Sequence, residues 1–366
     1  MDNFDTASTI LTINLDAIRK NYHLLKKKLG TAICGAAVKA DAYGLGADAI
    51  VAVLIAEGCN EFFVAQLEEG ILLRKAFPSI TIYVLNGAEL KTEQMLAHYK
   101  LIPVLNDPGQ IDRWINLGHT VDKKLPAALH IDTGINRLGL TQNEFDDLLS
   151  RPSYLKNCRI ILCLSHLACA DDPINPKNQE QLNKFLAIRQ RFPHGRASLA
   201  NSSGIFLGSK YHFDLARPGI GLYGGNPFPG KPNPMRPAVQ FQGRIIQVRI
   251  IDAAETVGYG ATYKTRKKTK IATVAAGYAD GLLRSNVKDA CVIINDVEAP
   301  IVGRVSMDMI TVNIDKIPNH LAHPGTLVDL LSDRWTIEHM ADAAGTISNE
   351  ILTGLGRRGK RVYLQH

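Results

Sequence analysis

The sequence predicts an α/β chain, with an N-terminal (β/α)8 TIM-type barrel followed by a mainly β C-terminal domain. Three observations predict it. From residue 30 to about 220, eight short β-prone apolar runs alternate with segments of helical periodicity. After Pro237 the pattern changes to a succession of strand-like runs. Between the two halves lies 226–234, with prolines at 227, 229, 232 and 234, the composition of a connector.

In chain order, 9–14 reads as a strand that precedes the barrel. The segment 16–29 then sets Ile18, Tyr22, Leu25 and Leu29 on one stripe, as an extra leading helix does. The barrel strand candidates are 32–38, 61–65, 80–85, 101–105, 126–131, 159–164, 196–200 and 213–216. Segments such as 47–57, 66–76 and 178–191 supply the helices between them. The same alternation also suits a doubly wound sheet, the alternative architecture. In the second half 239–251, 270–276, 291–294, 299–305, 309–314 and 326–331 read as strands, with helical patterning confined to the last 30 residues. The domain limits drawn from this are 12–236 for the barrel and 237–366 for the β domain, which the N-terminal strand 1–11 would join.

The 366 residues, 46% hydrophobic and 21% charged, are those of an ordinary globular protein large enough for two domains. The net charge of +7 permits anionic partners. Yet the basic clusters, such as Lys26-Lys27-Lys28, are short and not interleaved with aromatics, so nucleic acid is not an expected partner. The start Met1-Asp2-Asn3-Phe4-Asp5 lacks the basic and apolar regions of a signal peptide, and no run approaches the roughly 18 apolar residues that span a bilayer. A cytoplasmic protein without a membrane partner is expected. The six cysteines show neither CxxC pairing nor zinc spacing, which predicts reduced core thiols and no metal site.

Barrel enzymes build their sites from the loops after the strands, and chemistry-bearing residues gather there in this chain. Lys39 and Tyr43 follow the first strand, 132–137 the fifth, Ser165-His166 the sixth, Asn201-Ser202-Ser203 the seventh, and Arg217-Pro218-Gly219-Ile220 the eighth. The last two loops offer hydroxyls and a glycine backbone where barrels commonly hold a phosphate. Taken alone, Ser202-Ser203 reads equally well as a helix cap. Lys39 leaves an apolar strand, and desolvation there favours the neutral amine that attacks an aldehyde such as pyridoxal phosphate. Its plain alternative is a lysine that extends its head group out of a strand end.

The segment Ala37-Val38-Lys39-Ala40-Asp41-Ala42-Tyr43-Gly44-Leu45-Gly46 resembles the cofactor-lysine signature of the alanine racemase family, fold-type III pyridoxal-phosphate enzymes. Further motifs follow in that family's order: Asp132-Thr133-Gly134-Ile135-Asn136-Arg137-Leu138-Gly139, Ala200-Asn201-Ser202, Arg217-Pro218-Gly219-Ile220-Gly221-Leu222-Tyr223-Gly224, Val257-Gly258-Tyr259-Gly260-Ala261-Thr262-Tyr263, Gly277-Tyr278-Ala279-Asp280-Gly281 and Gly303-Arg304-Val305-Ser306-Met307-Asp308. The resemblance spans nearly the whole chain.

The resemblance implies interconversion of L- and D-alanine, supplying D-alanine for peptidoglycan, in a homodimer with composite sites. Lys39 would hold pyridoxal 5'-phosphate and serve as the base on one face of the substrate; Tyr259 of the partner subunit would serve the other. A phenol ionises near about 10 in water, so the site must stabilise its phenolate. His166 would contribute to the network around that tyrosine. Arg217 would face the pyridine nitrogen, donating to it while hardly protonating it, which favours return of the proton over transamination. Tyr43, Asn201, Ser202, Gly219 and Ile220 would bind the cofactor, mostly at its phosphate. Arg137 would orient the cofactor's phenolic oxygen and the substrate carboxylate, with Met307 contacting that carboxylate and Tyr278 and Asp308 shaping the entrance. Alone, Tyr259, Tyr278 and Met307 read as ordinary β-domain residues.

Three positions depart from the family pattern. His130 stands where many members carry a carbamylated lysine that steadies the arginine, so Arg137 would be held by an anion such as chloride, by a neighbouring carboxylate, or less firmly. Ser198 replaces a histidine that supports Arg217, and Asn349 replaces a tyrosine that reaches the phosphate. Two other activities suit the same residues: a broader amino-acid racemase of this fold, and a non-catalytic pyridoxal-phosphate-binding protein. A decarboxylase would need a carboxylate where Arg217 stands.

Overall fold

The structure, a computed structural model, describes residues 6–151, 154–285 and 289–365. The leading helix Leu15–Leu29 starts at Asn14, whose side chain accepts the Ala17 N–H at 2.9 Å, and buries Ile18, Tyr22, Leu25 and Leu29 along one stripe. Seven parallel strand segments then pair in sequence order, from Ala36–Ala37 through Glu61–Val64, Thr81–Val84, Ile102–Leu105, Leu125–His130 and Cys158–Leu164 to Arg196–Ser198. The ring is closed by Leu215–Ala216. It pairs with Ile33–Cys34, and the Asp214 and Arg217 N–H groups donate to the carbonyls of Ala197 and Ala200 at 3.1 and 2.9 Å.

The expected barrel is therefore present, with several strands shorter than the sequence suggested. The run 32–38 is broken at Gly35, which lies so close to Glu61, Phe63 and Ala216 that a Cβ would sit 3.1–3.2 Å from all three. The barrel interior is filled by side chains such as Phe63, Tyr83, Val104 and Leu162. Phe63 and Tyr83 stack with centroids 4.6 Å apart, and Arg217 lies 6.0 Å above the Phe63 ring. The packed core thus forms the floor of the cavity at the strand ends.

In the second half, Val239–Ile251 is the hub of an eight-stranded sheet and pairs antiparallel with Thr269–Ala275, Leu327–Leu331 and Thr9–Asn14. The N-terminal strand is thus part of this sheet; the first five residues of the segment 1–11 lie outside the described residues. Two expectations need correction. The strand expected over 299–305 runs instead over Val297–Pro300, leaving Ile301 as an isolated bridge, because Gly303 takes φ +75° against the Val257 carbonyl. The last 30 residues hold not only the helices Ile337–Ala344 and Ser348–Gly354 but also a strand, Lys360–Leu364, parallel to Thr9–Asn14. Among the described residues, no helix is long and apolar enough to cross a membrane.

Candidate active site

Lys39 sits at the mouth of the barrel, half-buried, where the first strand ends. The four residues after it, Ala40 to Tyr43, all take φ between 53° and 57°, one turn of left-handed helix. Such a conformation costs an L-residue roughly 1–2 kcal/mol each, so the turn requires outside support. The Glu69 carboxylate accepts the Ala40 N–H; Asp41 accepts the Ala47 N–H at 2.8 Å and is held by Arg357 at 2.7 Å. Tyr43 closes the turn, its ring 4.7 Å from that of Tyr223. Burial, assisted by the Arg137 charge and opposed by Glu69, lowers the basicity of the Lys39 amine.

A cavity of about 450 Å³ opens beside Lys39. Its walls bring together Lys39, Tyr43, Arg137, His166, Asn201, Ser202, Arg217, Gly219 and Ile220, the nine residues expected to bind the cofactor. At one end, Tyr43 is buried and its phenol is pushed up to about 12, so it stays protonated and can donate. Gly219 lies against it; a Cβ there would stand 2.2 Å from the Tyr43 hydroxyl oxygen. Ser202 Oγ accepts the N–H groups of Gly219 and Gly221 at 3.0 and 3.1 Å, which leaves its own proton free to donate. Asn201 caps the short helix Ser202–Phe206 through the Gly204 N–H at 2.9 Å. Asn349 comes from the other domain to line the same cavity.

At the other end lies Arg217, 6% exposed. Its guanidinium donates to the Ser198 hydroxyl, to the Ser165 carbonyl at 2.6 Å and to His166 Nδ1 at 3.3 Å. Ser198 is thus a direct partner of Arg217, and its own hydroxyl donates to the Leu215 carbonyl. Burial lowers Arg217 to about 10, which still leaves it charged at neutral pH. The loop after the fifth strand is shaped by Asp132, whose carboxylate accepts the N–H groups of Gly134, Ile135 and Asn136 at 2.8–3.0 Å.

Sequence reasoning missed three positions. Gln181 is fully buried, donates to Thr133 and the His166 carbonyl, and accepts the Ala168 N–H, tying two loops together. Glu69 supports the turn after Lys39, and Asn106 holds His130. Asn106 directly follows the strand Ile102–Leu105, so the rule that sites form at strand ends points to it. Nothing local marks Gln181, which faces inward from a helix.

Tyr259, Tyr278, Met307 and Asp308 do not reach this cavity. They belong to the β domain, where Tyr259 is 67%, Met307 53% and Tyr278 41% exposed. The loop 303–308 joins them: the Tyr278 and Ala279 N–H groups donate to the Ser306 and Met307 carbonyls at 3.0 Å, and Gly260 packs beside Arg304. Asp308 is paired with Arg358 at 2.6 Å.

Residues 13–227 match the family model described as alanine racemase, N-terminal domain, and 238–363 that of the C-terminal domain. The chain belongs to the alanine racemase family. It is 49% identical over 365 residues to an alanine racemase of Rhodospirillum rubrum, covering 99% of this chain and 98% of that one. With a catabolic alanine racemase of Mesorhizobium japonicum it shares 45% identity over 98% of this chain and 94% of that one. The crystal structure of alanine racemase from Bartonella henselae with covalently bound pyridoxal phosphate superposes with a TM-score of 0.94 at 39% identity, covering 98% of this chain and all of that one. The family's two-part architecture, barrel then β domain, is the one described above.

Proposed function

We propose that the chain interconverts L- and D-alanine with pyridoxal 5'-phosphate, as a cytoplasmic homodimer whose sites are each built from two subunits. The observation that carries this reading is the wall of one cavity: a lysine of lowered basicity at the mouth, a buried arginine at one end, and a hydroxyl-lined glycine cradle at the other. The cradle suits a phosphate. A Cβ at Gly219 would fill it, and the Tyr43 and Ser202 hydroxyls have protons to donate. Tyr43, Asn201, Ser202, Gly219 and Ile220 would hold the cofactor there, Arg217 at its ring nitrogen, and Lys39 by a covalent bond. When bound, the cofactor acts as the electron sink that makes the substrate α-hydrogen acidic.

The chain's own residues do the rest. Arg217, charged and held through three of its five N–H groups, keeps others to donate without surrendering its proton. Arg137 orients the substrate carboxylate and the cofactor's phenolic oxygen. The Lys39 amine, its basicity lowered by burial, takes or returns the α-proton on one face. On the other face this falls to the partner subunit's Tyr259, with the partner subunit's Met307 at the carboxylate and its Tyr278 and Asp308 at the entrance. Large exposed side chains at 259, 278 and 307 form the kind of patch that an interface covers. Because Arg217 donates to Nδ1 of His166, that ring keeps its proton on Nε2, available to stabilise a phenolate. All six cysteines are unpaired, as suits a reducing compartment. D-alanine made there would serve peptidoglycan synthesis.

The test is direct. Cofactor-loaded protein is incubated separately with L- and D-alanine and the enantiomers are resolved with time. Both incubations are expected to converge on one mixture; no interconversion would overturn the reading. Serine and larger amino acids in the same assay separate a narrow from a broad racemase.

A further inference from the structure

His130 ends the strand Leu125–His130 and is 7% exposed. Its Nδ1 lies 2.8 Å from Oδ1 of Asn106. That amide has one possible orientation, because its Nδ2 donates to the carbonyls of Leu85 and Val104 at 2.9 and 2.8 Å, using both its hydrogens. Turning it over would set an oxygen against two carbonyl oxygens. Oδ1 therefore accepts, and Nδ1 of His130 carries the proton.

A second proton on the ring is opposed by burial and by two arginines. Burial first, then Arg217 and Arg137, drive His130 down to about 3; Asp132 alone acts the other way, and neutral His166 lies nearby. The ring is neutral, with a lone pair at Nε2. That atom is buried and has no hydrogen-bond partner among the described residues. Nor is the ring free to turn away from it, because Gly139, at φ +104°, packs so closely that a Cβ would lie 3.0 Å from Cδ2.

A buried lone pair repels an anion and asks for a donor. Arg217 spends three of its five N–H groups on Ser198, Ser165 and His166, and the racemase reading turns the remainder toward the cofactor's ring nitrogen. Arg137 stands seven residues further on the loop that leaves His130 and lines the same cavity, and its guanidinium has no hydrogen-bond partner among the described residues. Its charge reaches the His130 ring. It is a charged donor of this cavity for which the structure shows no hydrogen-bond partner among the described residues.

We propose that His130 is a positioning residue whose Nε2 lone pair accepts a hydrogen bond from the Arg137 guanidinium, orienting that arginine without neutralising it. Of the supports expected for Arg137, neither chloride nor a carboxylate is then required: a neutral acceptor aims the arginine, and its full positive charge remains for an anionic group. Only the identity of that group, the substrate carboxylate, rests on the racemase reading.

The test is nitrogen NMR on holoenzyme labelled with 15N-histidine, with His130 assigned by its loss in His130→Gln. The expected spectrum shows Nδ1 protonated and Nε2 bare, with the Nε2 signal moving downfield in Arg137→Leu and unmoved by chloride. A protonated Nε2, or a bare Nε2 indifferent to Arg137→Leu, overturns the proposal. Kinetics give the second reading. His130→Leu should raise KM for alanine about tenfold with a smaller change in kcat, while His130→Gln, which sets an amide oxygen near the place of Nε2, restores KM. If the NMR result holds and KM does not move, the pair stands and it is the assignment of Arg137 to the carboxylate that fails.

Discussion

The Arg217 guanidinium donates to Nδ1 of His166 across 3.3 Å, and this places the proton of the neutral imidazole on Nε2. Burial, followed by the charges of Arg217 and Arg137, holds His166 well below its ordinary basicity, so the ring does not gain a second proton at neutral pH. His166 is therefore a donor toward the site. His166→Phe should slow turnover about tenfold to a hundredfold, the cost of a lost hydrogen bond to a charged oxygen. The loss should fall mainly on the direction that uses the tyrosine as base, read as unequal deuterium uptake from L- and D-alanine in heavy water. Equal losses in both directions would count against a link between His166 and Tyr259.

In the proposed mechanism, Lys39→Ala removes the base of one face and the point of covalent attachment. Turnover should drop at least about a thousandfold, and borohydride treatment should no longer fix cofactor to the chain, as read by intact mass. Because the folded site lowers the lysine's basicity, the wild-type rate should rise with pH earlier than an ordinary amine would allow. Retention of fixed cofactor in the variant would show that another lysine carries it.

Gly219→Ala tests the cradle. The new methyl would stand 2.2 Å from the Tyr43 hydroxyl oxygen and 2.9 Å from Cζ, and the ring cannot withdraw freely with Tyr223 packed 4.7 Å away. Cofactor affinity should weaken at least about tenfold in a fluorescence titration, with about 1–3 kcal/mol lost from the apoenzyme's stability. Unaltered affinity would place the phosphate elsewhere.

Acid should weaken the fold through His130. Unfolded, the ring ionises near 6.5; folded, it is held to about 3. Below the first value the unfolded chain binds a proton that the folded one refuses, so stability falls as the pH falls, by up to about 1.4 kcal/mol per pH unit, and is fully present above it. His166 adds a contribution of the same sign. His130→Gln should flatten the dependence of the urea midpoint on pH between about 7 and about 5. A slope unchanged by the substitution would contradict the neutral buried ring.

Much of this site is legible in the sequence because a barrel converts strand ends into neighbours: Lys39, His166, Ser202 and Arg217, spread over 179 residues, needed only the eight-unit periodicity to be gathered. The left-handed turn after Lys39 was not legible. Ala40, Asp41, Ala42 and Tyr43 have no local preference for positive φ, and the conformation is held by Glu69 and Arg357 from far along the chain. The strand Lys360–Leu364 escaped notice because its short basic run gains its partner, Thr9–Asn14, only when the two ends of the chain meet. The sequence marks Ser198 as the residue at the place of Arg217's support, but not that its small hydroxyl takes up that contact, which depends on the arginine's approach.

The central claim is that Lys39 and the partner subunit's Tyr259 serve one site from two chains, consistent with Tyr259 standing 67% exposed and away from the cavity that holds Lys39. Mixing purified Lys39→Ala and Tyr259→Phe proteins, each inactive alone, under conditions of proven subunit exchange tests it most directly. A hybrid dimer carries one site with both defects and one with neither, so the account predicts recovery of racemase activity, up to roughly half the wild-type rate per hybrid dimer. Exchange without any recovery would contradict it.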